Sequence, residues 1–247
     1  MANFKDHFSS GSDNYRKYRP RYPESLYKWL QTQVAKPATV WECGAGSGQA
    51  TEHLARHFHH VIATEPSAAQ LQSAPKLDNV TYKVSPAETF VTEPHSIDLV
   101  VVAQAIHWFD HERFFANVDR LLKPGGVLAV WGYQLMEANA ELDPLLKAFH
   151  DDLLGPFWPA ERKLLNNGYS EISFPYPAME TPEFKMTNEW TLEHLLGYLE
   201  TWSAVKAYEA DKGKNPVELW REKLTDAWGD KRVLRVSWPL VLYVGKK

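Results

Sequence analysis

Apolar positions along this chain keep two different rhythms, and the two rhythms take turns. Short runs rich in β-branched residues stand at Val40–Trp41, His60–Thr64, Asn79–Val84, Ile97–Ala105 and Val127–Trp131, and each reads as a strand. Between them lie segments of helical period. One opens near Glu24 with Leu26, Trp29 and Leu30 on one face. A second spans Gln49–Phe58 with Leu54, Ala55 and Phe58 inward. A third spans Asp110–Leu122 with Phe114, Phe115, Val118, Leu121 and Leu122 inward. Strands alternating with amphipathic helices predict βα repeats and a doubly wound, mostly parallel α/β sheet with helices on both faces. The run from Ile97 is apolar almost throughout, as befits a strand buried on both faces in the middle of such a sheet.

Beyond Tyr133 the rhythm loosens. Helical patterns recur at Leu142–Leu153 and Glu161–Leu165, the proline-rich Ser173–Pro177 reads as extended, and Glu183–Asn188 as a sixth strand. Thr191 is placed to cap a helix with Glu193 in its first turn, and that helix carries Leu195, Leu196, Leu199, Trp202 and Val205 on one stripe. A helix over Pro216–Trp228 and a final strand over Val233–Val244 follow. The expected organisation is one domain built on a seven-stranded sheet. Residues 1–23 lead in, 24–133 form the core, 134–230 supply a helical cap and the sixth strand, and 231–247 the final strand.

Composition narrows the function classes. The chain has 247 residues, 44% hydrophobic and 23% charged, so it can bury a core and is not a disordered polymer. A net charge of −4 gives no reason to expect nucleic acid as the main partner. The single cysteine, Cys43, permits neither an internal disulfide nor a cysteine-based metal cluster, and His57, His59 and His60 lack ligand spacing, so no metal is expected. No run approaches the roughly 18 apolar residues of a membrane span, and the first residues show no targeting pattern, so the expected location is the cytoplasm. Aromatic residues reach 13%, with 10 tryptophans. Most serve a core, yet aromatic faces also attract cations such as a sulfonium.

The candidate chemistry centres on Thr39–Thr51. Val40 and Trp41 lead into Glu42, and glycines alternate at Gly44, Gly46 and Gly48 before a helix opens at Gln49. A strand, a tight glycine turn and a helix start let a nucleotide lie against bare main chain. The dinucleotide fingerprint wants a glycine where Gln49 stands, so the spacing is G-x-G-x-G with an acid two places before. A plain strand-to-helix loop is the alternative. The stretch Glu42-Cys43-Gly44-Ala45-Gly46-Ser47-Gly48 resembles the first motif of the class I methyltransferases, which have a Rossmann-like fold and use S-adenosylmethionine. The resemblance implies that the methionine end of the cofactor lies over Gly44, Ala45, Gly46 and Gly48 with Glu42 close by, and that S-adenosylhomocysteine is the product.

Later segments agree with it. Glu65, before Pro66, ends the second strand about 20 residues after Gly44, the spacing of an acid that accepts hydrogen bonds from ribose hydroxyls; a helix cap is the alternative. Ser85-Pro86-Ala87-Glu88 stands where the family has an acid before Ala-Glu, so adenine recognition is left to the Ala87 backbone and Glu88. Gln104-Ala105-Ile106-His107-Trp108-Phe109 follows the central strand, and Tyr15-Arg16-Lys17-Tyr18-Arg19-Pro20 precedes the first helix. Both are similar to the trans-aconitate methyltransferase-like branch, which acts on small molecules. The resemblance assigns Tyr15, Arg19 and Gln104 to the cofactor and Arg16, Tyr18, Trp108 and Trp202 to the acceptor. A solvated basic tail, a structural histidine and a packing stripe are the alternatives.

An activated sulfonium needs little covalent machinery beyond an acceptor held in line and dry. For a hydroxyl acceptor His107 is the candidate base; for a carboxylate no base is needed, and Arg16 or Arg19 could hold it by paired hydrogen bonds. The rivals are an NAD(P)-dependent Rossmann oxidoreductase, disfavoured by Glu42 and Gln49, and a silent S-adenosylmethionine-binding protein.

Overall fold

The computed structural model describes residues 17–247; Tyr15 and Arg16 lie outside them. Five parallel strands, β1 (Thr39–Cys43), β2 (His60–Glu65), β3 (Val80–Val84), β4 (Ile97–Ala103) and β5 (Leu122–Tyr133), are arranged in the order β3-β2-β1-β4-β5. The helices connecting them include α1 (Glu24–Thr32) before β1, α2 (Gln49–His57), α3 (Ala68–Gln72) and α4 (His111–Leu121). Alternate residues of the strands go to opposite sides. Val40, Val61, Leu99, Val101, Val127 and Ala129 join one core, while Trp41, Ile62, Val100, Val102, Leu128 and Val130 join another. Burial on both faces is why the Ile97 run is apolar without alternation.

The central sheet has six strands, where the sequence predicts seven. The sixth member is β8 (Leu240–Lys246), antiparallel to β5. The predicted sixth strand lies at β6 (Met186–Trp190) and pairs outside the sheet, antiparallel to β7 (Leu234–Trp238). The single final strand predicted over Val233–Val244 is thus two, divided at Pro239. Proline has no N–H to continue a ladder, and the chain there changes partner from β6 to β5. β5 also begins earlier than predicted: Ile97 pairs with Leu122 and Leu99 with Val127, so the Lys-Pro-Gly-Gly stretch bulges out between two paired ends.

The segment after β5 forms α5 (Leu142–Lys147), continued by a wider helical turn over Ala148–Leu153, then α6 (Arg162–Asn166), α7 (Leu192–Glu200), α8 (Ser203–Lys212) and α9 (Pro216–Trp228). The Thr191 side chain accepts a hydrogen bond from the His194 N–H, as its predicted capping role requires. The predicted helix through Val205 instead breaks at Thr201-Trp202, with Trp202 extended. Arg19 Nη2 donates to the Thr201 carbonyl at 3.2 Å and so satisfies a carbonyl at the end of α7. No helix among the described residues is long and apolar enough to cross a membrane.

Candidate functional site

The glycine turn lies at the carboxyl ends of β1 and β4, where open parallel sheets receive ligands. Gly44 and Ala45 donate their N–H groups to the Thr64 carbonyl at 2.9 and 3.0 Å, which ties the turn to β2. Gly44 has a φ of +70°, and a Cβ on it would stand 2.7 Å from the Ala105 Cβ. The main chain therefore passes the end of β4 more closely than any side chain allows. Gly48 (φ +82°) enters α2 from the left-handed region with Pro75 in the space a Cβ would take. This bare cradle is a structural fit to the nucleoside cofactor of the resemblance.

Two buried carboxyl groups bracket it. Glu65 ends β2 and turns back over the loop: its Oε2 accepts the Gly46 N–H and its Oε1 the Ser67 N–H, each at 3.0 Å. Beyond Pro66, the Ser67 hydroxyl, not Glu65, caps α3 by accepting from Gln70. Glu42, on β1, is almost fully enclosed and accepts a 2.5 Å hydrogen bond from the Thr51 hydroxyl. Burial pushes its pKa up to about 8; the Thr51 bond opposes the shift and the neighbouring Glu65 charge adds to it. Glu42 is thus largely protonated at neutral pH until a cation approaches.

On the far side of the cradle, Ala87 is buried, with its carbonyl accepting from Asn117 Nδ2 at 2.8 Å. Glu88 Oε1 accepts the Asp110 N–H at 3.0 Å. Gln104 stands at φ +58° with its side-chain amide paired to the Tyr133 backbone: Oε1 accepts from Tyr133 N at 2.8 Å and Nε2 donates to Tyr133 O at 3.2 Å. That amide clamps the ends of β4 and β5 together, a job its expected cofactor role did not foresee.

His107 lies in the short turn Ile106–Trp108, buried, its Nδ1 3.4 Å from the Tyr169 hydroxyl and its ring beside the half-buried Trp108. Burial, then the charge of Arg162, then that of His111, pull its pKa down to about 3. An imidazole this hard to protonate is a weak proton acceptor. Its geometry suits orientation by a neutral ring.

Tyr18 and Arg19 dock against residues of α7 and the end of β5. Arg19 Nε donates to Thr201 Oγ1 and Nη1 to the Tyr133 hydroxyl, both at 2.9 Å, and its guanidinium lies 5.4 Å from the Tyr198 ring centre. The Tyr18 ring fills the space beside Gly197, where a Cβ would meet it at 2.6 Å. Trp202 is buried among Phe149, Trp158 and Tyr198. Gly132 near the end of β5 is equally crowded, with Leu165 and the Tyr169 hydroxyl each 2.7 Å from a Cβ built there. Sequence reasoning passed over Tyr133, Tyr169, Tyr198 and Arg162. They belong to no spaced motif, and only the fold brings them beside His107 and Arg19.

A family profile described as a methyltransferase domain matches residues 41–130. An assigned methyltransferase of Dictyostelium discoideum is 32% identical, over 99% of this chain and 96% of that protein. An assigned S-adenosylmethionine-dependent methyltransferase of Saccharomyces cerevisiae is 33% identical, over 96% and 95%. The solved structure of an assigned type II methyltransferase from Anaeromyxobacter dehalogenans superposes with a TM-score of 0.86 at 39% identity, over 93% of this chain and 98% of that one. These full-length likenesses, with the acid-flanked glycine cradle at the carboxyl edge of the sheet, set the nicotinamide alternative aside: the chain belongs to the class I S-adenosylmethionine-dependent methyltransferases.

Proposed function

We propose that this methyltransferase acts on a small organic acceptor through a carboxylate or hydroxyl oxygen, in a recess at the carboxyl ends of β4 and β5. The observation that carries the reading is the cover over those ends. Arg19 fastens the lead-in segment to Tyr133 and Thr201, while Leu165 and Tyr169 press on Gly132 from the other side. Such a cover favours a compact acceptor over a nucleic acid or a protein surface and keeps water from the transfer.

In this reading Glu65 releases the Gly46 and Ser67 amides to hold a ribose diol, the glycine turn accommodates the nucleoside and Glu42 faces the amino-acid end. The bound S-adenosylmethionine supplies an electrophilic methyl group. The chain's part is to bind, align and dry the reactants. His107, neutral and with Nδ1 3.4 Å from the Tyr169 hydroxyl, orients an acceptor group; a carboxylate has no proton to lose, and a hydroxyl acceptor would shed its proton to water. The branch resemblance supports the same acceptor class.

The test is a thermal-shift panel with S-adenosylmethionine, S-adenosylhomocysteine, NAD and NADP. A mass-spectrometric search for methylated products then follows in a mixture of small acids and alcohols. Stabilisation by the first two compounds and a gain of one methyl on a small molecule are expected. Methylation confined to added protein or nucleic acid would refute the acceptor class.

A further inference from the structure

Arg162, the first residue of α6, has no ion-pair partner among the described residues, and its Nε is sealed from solvent without an acceptor. It stacks over the Trp158 ring, 4.2 Å from the ring centre, a contact that offsets only part of the cost of desolvating a cation. Burial and then the like charge of Arg19 both act against its ionised form, so the folded protein holds two cations near one another. A guanidinium stays protonated even so. A half-buried cation without an ion-pair partner among the described residues is placed to meet its counter-charge in a ligand.

There is space for that ligand. Arg162 borders a cavity of about 180 Å³ whose wall includes His150, Trp158, Pro159, Lys163 and Asn166. The acid on that wall, Asp151, is already engaged by Lys147 and by His150 Nδ1. The opposite ring nitrogen, His150 Nε2, is buried without a partner, a second unanswered polar atom beside the same space. Toward the sheet, Arg162 acts electrostatically on His107, Tyr133, Tyr169 and Tyr198, the groups around the proposed recess.

From this juxtaposition we infer that Arg162 is the anion-recognition residue of the acceptor site, and that the acceptor carries a carboxylate seated against the Arg162 guanidinium while that group stays stacked on Trp158. The inference rests on the proposed acceptor site and deepens it, since it names the group by which the acceptor is recognised. A planar carboxylate matches a guanidinium fork. The carboxylate so held orients the molecule, whichever of its oxygens receives the methyl group.

The test is saturation-transfer NMR on the full chain saturated with S-adenosylhomocysteine, using a mixture of short mono- and dicarboxylic acids and a matched mixture of their primary amides. One or more acids should receive saturation and their amides should not. Arg162→Gln should weaken the acid signal by about tenfold or more and Arg162→Lys by less, with S-adenosylhomocysteine affinity in both within about twofold of the parent. That unchanged affinity shows that the variants are folded. Absence of any acid signal, equal signals from acids and amides, or an undiminished acid signal in Arg162→Gln would overturn the assignment. Displacement of the acids by inorganic phosphate at lower concentration would overturn the choice of carboxylate. Failure of the parent chain to bind S-adenosylhomocysteine would strike the methyltransferase reading itself, a different result from any of these.

Discussion

Arg19 and Thr201, 182 positions apart, are joined twice: Nε donates to the threonine hydroxyl at 2.9 Å and Nη2 to its carbonyl at 3.2 Å. The same guanidinium reaches the Tyr133 hydroxyl, so one side chain ties the lead-in segment to the end of α7 and the end of β5. Hydrogen bonds from a charged donor contribute about 1.5–3 kcal/mol each where buried and less where water competes. Arg19→Ala should therefore lower unfolding stability in urea by about 2 kcal/mol and impair turnover more than cofactor affinity. Arg19→Lys should recover little, because an ammonium cannot serve three acceptors laid out for a fork. Full activity and stability in Arg19→Ala would show the segment to be a passive attachment.

Glu65 accepts two main-chain N–H groups, from Gly46 and Ser67, and the proposed reading gives it the ribose diol. Glu65→Ala should weaken S-adenosylmethionine binding at least tenfold, about 1.4 kcal/mol, by isothermal calorimetry. It should also lower stability modestly, since two buried amides lose their acceptor. Glu65→Gln, which still accepts one hydrogen bond, should fall between. Equal affinities in all three proteins would remove Glu65 from the cofactor site.

What the sequence made legible was whatever its local pattern controls. β4 was readable because burial on both faces demands an apolar run, and the glycine turn because a close approach between Gly44 and Ala105 excludes side chains. Glu65 was readable because one βα unit has a narrow range of lengths. The strand count was not, because whether residues after Pro239 continue one strand or start another depends on partners, β6 and β5, far away in sequence. The break at Thr201 was hidden for the same reason, since Arg19 lies at the other end of the chain. His107 was found by position, but its basicity is set by burial and by Arg162, neither of which leaves a mark in a linear motif.

Because its pKa falls to about 3, His107 stays neutral through the physiological range. At saturating cofactor and acceptor, kcat should show no inflection near the 6.5 of an ordinary imidazole. His107→Gln, which keeps a hydrogen-bonding group toward Tyr169, should lower kcat by less than about tenfold, well short of the 10²–10⁴-fold that loss of a general base brings. An inflection near neutrality that disappears in His107→Gln would restore the residue as the base.

Glu42 gives the opposite behaviour, because burial has pushed its pKa up to about 8 while the unfolded chain keeps the ordinary 4.5. The unfolded state therefore releases the proton first. The stability linked to this group is fully present below about pH 4.5 and declines as pH rises toward 8. Cofactor binding should run the other way: the α-ammonium of the zwitterionic amino-acid end of S-adenosylmethionine, placed beside Glu42 in the proposed reading, favours its ionised form, so association near neutral pH should expel a proton. Calorimetry at pH 7 in buffers of different ionisation enthalpy should report that release, and affinity should tighten by up to about tenfold per pH unit between 6 and 8. Glu42→Gln should abolish both the proton release and the pH slope while preserving the Thr51 contact. A binding enthalpy independent of buffer would show that Glu42 does not meet the cationic end of the cofactor.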